Sequence, residues 1–131
     1  MMESLSVHLI GELFNCNNSY IDDFDKVENV MIEAVKISKS TLVNSFFHKF
    51  SPYGVTGVII IAESHFSIHT WPEYYYTAID IFTCGNVDYK PAMEYIKNEF
   101  EAERYSIFQF KRGIISEIYQ KTKRLALGGG L

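Results

Sequence analysis

Cysteine is scarce in this chain: Cys16 and Cys84 are its only two, and they show no CxxC spacing. A disulfide-stapled scaffold is thereby excluded, and a reducing cytoplasm with both thiols free is the economical expectation. Long hydrophobic runs are missing as well. The longest, Gly57 to Ala62, has the length of a strand and is far too short to cross a bilayer, so no membrane association is expected. The start of the chain has no basic segment followed by an apolar stretch, so no secretory signal is expected either. Nor is there a basic excess. The net charge of −4 argues against nucleic acid, whose binding needs Lys and Arg clustered on one face; a cationic small molecule would be tolerated. With 47% hydrophobic residues in 131, the chain has enough apolar material for one core and not two. It reads as a single domain, residues 1–131, without linker or repeat.

The hydrophobic pattern predicts strand, helix, several strands, helix, strand. Ser4 to Phe14 alternates loosely and reads as a first strand ending at a polar turn, Asn15 to Ser19. From Tyr20 to Lys39 the apolar residues Ile21, Phe24, Val27, Val30, Met31, Ala34, Val35 and Ile37 recur at three and four, which predicts one amphipathic helix with Ser19 as N-cap. That stripe reads as core rather than as a cofactor groove. Thr41 to Phe50, Val55 to Ala62, His65 to Thr70 and Thr77 to Thr83 read as strands, with a turn at Ser51-Pro52-Tyr53-Gly54. A second helix is expected from Tyr89 to Ala102, opened by Asp88, then a closing strand from Tyr105 to Phe110 and a frayed, Gly-rich tail from Lys121. The fold class expected is α+β: a two-layer sandwich, a mostly antiparallel sheet with helices packed on one face. Its other face, rich in aromatics, is expected to pair with a second copy.

Into this buried-sheet pattern the chain sets Glu63-Ser64-His65, then His69-Thr70-Trp71-Pro72-Glu73, then Phe82-Thr83-Cys84-Gly85. A hydroxyl, an imidazole and a thiol within about twenty residues are costly inside a sheet unless paired or used. The hydroxyl of Ser64 can attack the carbonyl of Glu63, moving the acyl group from nitrogen to oxygen, and the ester can then eliminate. Each reactive residue also has a bland reading. Cys84 could be a small core hydrophobe, Glu73 a solvated charge, and Thr56 a strand filler. Cys16 reads as a free thiol at a strand end, and His8, His48 and His65 as structural. Zinc on His48, His65, His69 and Cys84 is not expected, because the short ligand spacings are absent.

The stretches FHKFSPYGVTGVIIIAESHFSIHTWPE and AIDIFTCG closely resemble the prokaryotic S-adenosylmethionine decarboxylase proenzymes, with weaker similarity in SVHLIGELFNC. The resemblance implies a self-cleaving pyruvoyl enzyme of polyamine synthesis. Cleavage is expected between Glu63 and Ser64, giving a β chain of residues 1–63 and an α chain of residues 64–131. Ser64 would become the covalent pyruvoyl cofactor that forms a Schiff base with the substrate. His69 would be the proton acceptor in processing, Cys84 the proton donor in decarboxylation, and Thr56 the processing hydroxyl. Phe50 and Glu73 would bind the adenine and ribose of S-adenosylmethionine. A homodimer of processed protomers is implied, with active sites near the interface.

The resemblance meets two departures and one tension. The family pattern YGVSG carries serine where Thr56 stands here, adding a methyl and stiffening χ1. The pattern WPEYGY carries a small residue where Tyr75 stands, which could narrow the site toward a smaller amino acid or strain a left-handed backbone. The tension is geometric. If Ser64 and His69 share a strand, their odd separation puts them on opposite faces. A bend or bulge between them, or a strand that begins after Ser64, is then required. Two rival functions follow. One is decarboxylation of a basic amino acid such as ornithine or arginine by the same machinery. The other is an uncleaved homologue that regulates an active partner. A Cys-His hydrolase is weaker, since nothing identifies an oxyanion hole.

Overall fold

The sheet that positions the candidate residues has six strands in the order β2-β3-β4-β5-β1-β6, and every neighbouring pair is antiparallel. The computed structural model describes residues 3–84 and 87–118. In chain order these are β1 (Ser4–Phe14), α1 (Asn18–Ile21), α2 (Phe24–Ile37), β2 (Leu42–Lys49), β3 (Val55–Ile61), β4 (Ser64–Trp71), a 3-10 turn (Pro72–Tyr74), β5 (Tyr76–Thr83), α3 (Tyr89–Glu99) and β6 (Arg104–Ile114). The expected tail from Lys121, and Gly85 of the FTCG stretch, lie outside the described residues.

The expected α+β sandwich is what forms. Strand alternation sends Leu9, Leu13, Ile59, Ile61, Phe66, Ile68, Ile79 and Ile81 to one side, where each is buried. They meet the apolar stripes of α2 (Val27, Val30, Met31, Ala34, Val35) and α3 (Ala92, Met93, Ile96) in one core. None of α1, α2 and α3 packs on the opposite sheet face, and among the described residues Phe46, Val58, Ile60, Phe108 and Phe110 are exposed there, from 38% for Val58 to 69% for Phe46.

Two helix expectations need correction. The single helix expected over 20–39 is two, broken at Asp22 and Asp23. Ser19 is not the cap: Asn17 Oδ1 accepts the Ser19 and Tyr20 N–H groups, and Asp23 Oδ1 accepts the Lys26 N–H. Short acidic and amide side chains bond neighbouring amides more readily than they continue a helix, so hydrophobic periodicity runs straight through a break it cannot register. The second helix stops at Glu99 rather than Ala102, with Phe100 as its fully buried C-cap and Glu101 at φ 52°. Asp88 stands at the N-cap position, but its side chain makes no capping bond. The last strand extends beyond the expected Tyr105–Phe110 to Ile114 because it pairs with β1 from Phe14 back to Ser4.

Candidate active site

The β3–β4 hairpin carries most of the candidate residues, and it distributes them to its two ends. At the tight end, β3 turns into β4 through Ala62 and Glu63 alone. Glu63 adopts φ 65°, a left-handed conformation that costs a glutamate about 1 kcal/mol. Ser64 follows at once as the first residue of β4, opposite Ile61. Its Oγ accepts the backbone N–H of Cys84 at 3.2 Å, just past the end of β5, where the Cys84 thiol is free and exposed. A cleft of about 180 Å³ opens here, lined by Glu63, Ser64, Thr83 and, from the end of α2, Lys39, Ser40 and Thr41. Sequence reasoning passed over Lys39, whose φ of 64° gives it the left-handed position just beyond the helix that usually favours glycine.

At the open end, Thr56 of β3 and His69 of β4 are register partners, and Thr56 Oγ1 lies 3.0 Å from His69 Nδ1. His48 of β2 is the next neighbour in the same row, with its ring 4.6 Å from that of Phe50. A pocket of about 370 Å³ brings Phe50, Tyr53, Thr56, His69, Trp71 and Glu73 together. Phe50 and Glu73, singled out in the sequence as binding residues, thus share one pocket with the Thr56–His69 pair. The Trp71 ring stands 6.3 Å from His69 and 5.6 Å from Tyr76. Tyr76 donates to Glu12 Oε1 at 2.6 Å; burial first and the adjacent Glu12 second push its hydroxyl up to about 12, so it remains a donor.

The two ends do not meet within one chain. Strand β4 runs from Ser64 to Trp71 with an unbroken register against β3, so the bend or bulge that would reconcile Ser64 with His69 is absent. Nor does the strand begin after Ser64. Five residues at about 3.3 Å each separate the two by roughly 17 Å along the strand. They also sit on opposite faces: Ser64 belongs to the set of Phe66, Ile68 and Thr70, which is buried toward the helices, and His69 to the open-face set.

The remaining candidates have structural occupations. Cys16 is buried, its thiol 3.7 Å from Thr77 Oγ1, and burial pushes its pKa up, so it stays protonated. His8 pairs with Asp80 at 3.1 Å and His65 stacks on Phe82. Among the described residues no group of three His, Cys, Asp or Glu side chains is placed to hold a metal ion, and no described helix is long and apolar enough to cross a membrane. Tyr75 takes the strained alternative: it caps the 3-10 turn at φ 56°, ψ 35°. It lines a separate cleft with Phe14 and Arg104 rather than the Phe50–Glu73 pocket. Within this chain, Tyr75 therefore does not narrow the pocket that holds Phe50 and Glu73.

Known proteins resemble this chain along most of its length. A family model described as S-adenosylmethionine decarboxylase matches residues 7–113. The chain is 46% identical over 122 residues to a protein of Thermodesulfovibrio yellowstonii named S-adenosylmethionine decarboxylase proenzyme, covering 92% of this chain and 90% of that one. A protein of the same name from Thermosipho melanesiensis is 47% identical over 118 residues, covering 89% and 91%. Among solved structures, the adenosylmethionine decarboxylase of Aquifex aeolicus superposes with a TM-score of 0.78 at 32% identity, over 86% of this chain and 94% of that one.

Proposed function

Since the chain belongs to the S-adenosylmethionine decarboxylase family, we propose that it is a proenzyme whose two half-sites, one at each end of the β3–β4 hairpin, are joined only when two copies pair. It decarboxylates S-adenosylmethionine and supplies the aminopropyl donor for spermidine synthesis. The single observation that carries the paired arrangement is the separation of Ser64 from His69 on an unbroken strand. Phe46, Val58, Ile60, Phe108 and Phe110, exposed on the sheet face opposite α2 and α3, support a second copy packing there.

Self-processing uses the chain's own atoms. The Ser64 Oγ bonds to the Glu63 carbonyl carbon as the C–N bond breaks, giving an ester and freeing the Ser64 amine. Removal of the Ser64 α-proton expels Glu63 as a carboxylate that keeps the oxygen. Hydrolysis of the resulting enamine releases ammonia and leaves a pyruvoyl group at the head of residues 64–131. The residues present fit that conversion. Ser64 follows a left-handed turn whose strain the cut releases, and the Cys84 N–H fixes its Oγ. His69 from the partner copy takes the α-proton, and Thr56, bonded to it, supplies the hydroxyl donor for the developing oxyanion. The pyruvoyl carbonyl supplies an electron sink for loss of carbon dioxide from an α-amino acid. Cys84, exposed beside Ser64, returns a proton to the substrate's Cα. Phe50 stacks the adenine and Glu73 accepts the ribose hydroxyls, both across the interface from Ser64.

The test is complementation. Ser64→Ala and His69→Ala proteins are each expected to remain full-length. Unfolded and refolded together, they should cut the His69→Ala chain alone, because only its Ser64 meets an intact His69. Intact-mass spectrometry with borohydride reduction would read two fragments breaking at Glu63/Ser64, with a reducible carbonyl on the C-terminal one. Mixed dimers that stay uncut while the wild type cuts would place the site within one chain. A wild type that never cuts would leave the uncleaved, regulatory homologue. Assay of the mature protein with S-adenosylmethionine, ornithine and arginine then identifies the substrate by the amine that accumulates.

A further inference from the structure

The Phe50 ring reaches its pocket from a turn, Phe50 to Gly54, that closes on itself with a single backbone bond, Phe50 N–H to Gly54 O at 2.8 Å. Everything else that holds this turn comes from side chains. Asp22, in the break between α1 and α2, accepts the Gly54 N–H on Oδ1 at 2.8 Å. The same oxygen takes the Lys49 ammonium at 3.1 Å. Lys49 in turn donates to the carbonyls of Phe50 at 2.7 Å and Pro52 at 3.5 Å. One residue further on, the Val55 N–H is accepted by Thr70 Oγ1 at 2.8 Å, and that buried hydroxyl donates to Ile21 O at 2.7 Å. Gly54 has to be glycine for this path: its φ is 107°, and a Cβ there would sit 3.0 Å from Thr70 O.

We propose that Asp22 and Lys49 are positioning residues for substrate binding, a clamp that holds the Phe50–Gly54 turn so that Phe50 faces Glu73 across the pocket. The inference rests on reading that pocket as the substrate's. The bland alternative is a half-exposed surface ion pair, worth little to anything. Such a pair needs no third partner. Here one carboxylate oxygen serves both an ammonium and a main-chain amide, while the ammonium bridges two carbonyls of the turn it borders, so the turn is tied at three points by two side chains. Pinning the ring before the ligand arrives spares its ordering cost on binding. The clamp touches neither Ser64 nor Cys84, so its loss should tell on affinity and not on the chemical step.

The experiment compares wild type, Asp22→Ala, Lys49→Met, the double variant and Lys49→Arg. Hydrogen exchange of the peptide covering residues 49–56 should quicken at least fivefold in Asp22→Ala and Lys49→Met, with the sheet unchanged. KM for S-adenosylmethionine should rise about tenfold, kcat should stay within about twofold, and self-cleavage should keep its wild-type rate. Lys49→Arg should restore both exchange and KM, and the double variant should be no worse than the worse single one. A lowered melting temperature with KM unchanged would reduce the pair to a stabilising contact and overturn the inference. So would an unchanged exchange rate at 49–56, or arrested cleavage in a folded variant. Should Asp22→Ala fail to fold, Lys49→Met decides alone. If the wild type itself leaves S-adenosylmethionine untouched, the proposed substrate falls, while the exchange data still judge the clamp.

Discussion

The two ends of the β3–β4 hairpin are built on different physical plans. Among the described residues the turn end is spare: a strained Glu63, a serine whose Oγ accepts the Cys84 amide, an exposed thiol and a small cleft. The open end is densely braced. Its hydroxyl and imidazole bond each other, the Trp71 ring stands 6.3 Å from the imidazole, the His48 and Phe50 rings stand 4.6 Å from each other, and the side chains of Asp22, Lys49 and Thr70 tie its loop. On the proposed function, the turn end would hold the serine that is consumed and the thiol that returns a proton, which need freedom and access, while the open end would hold the processing pair Thr56 and His69 together with the binding residues, which need fixed positions. A complete site would then require the turn end of one copy and the open end of another.

Substitutions should split along the same line. The largest effect is expected at the turn end. Cys84→Ala should self-cleave at the normal rate yet lose productive turnover by about 10³-fold, measured as carbon dioxide release from the mature protein. Full activity in that variant would remove Cys84 from its proposed role. Next comes the open end, where Thr56→Val keeps shape but loses the hydroxyl. Cleavage should slow by about 10²-fold, followed as loss of the full-length band, and Thr56→Ser should cleave at least as fast as the wild type. Equal cleavage by the valine variant would leave Thr56 a strand filler. The smallest effect is expected beside the open end, at Tyr75. Replacing it by glycine removes a left-handed side-chain penalty at φ 56° but enlarges the freedom of the unfolded chain. A net gain of about 0.5 kcal/mol should appear as a higher urea midpoint. Because Tyr75 lines a separate cleft, KM should not move; a changed KM would bring that cleft into the site.

Much of the architecture was legible before any coordinates. Loose alternation for β1, and short runs rich in β-branched and aromatic residues for β3 to β5, put these strands within a residue or two of their observed bounds, because such residues fit a pleated, half-buried surface. The candidates Ser64, His69, Cys84, Thr56, Phe50 and Glu73 came from the family resemblance, which local motifs carry, with Thr56 at a departure from the family pattern. The helix break at Asp22 was not legible, because the apolar stripe of α1 and α2 keeps its spacing across it. The clamp role of Asp22 and Lys49 left no signal at all. Their partners are the Gly54 amide and the Phe50 and Pro52 carbonyls, and a main-chain group shows nothing of its neighbours in the sequence.

Sequence alone therefore determined which chemical groups this protein has and on which elements they ride, since residue type and hydrophobic period are local properties. It also determined the parity that sets Ser64 and His69 on opposite faces. Only the tertiary structure decided that β4 runs unbent between them, leaving the two residues about 17 Å apart. The straightness of a strand is set by its partners on both sides. β3 and β5 hold β4 in continuous register, and no property of the eight residues of β4 itself could have revealed that constraint.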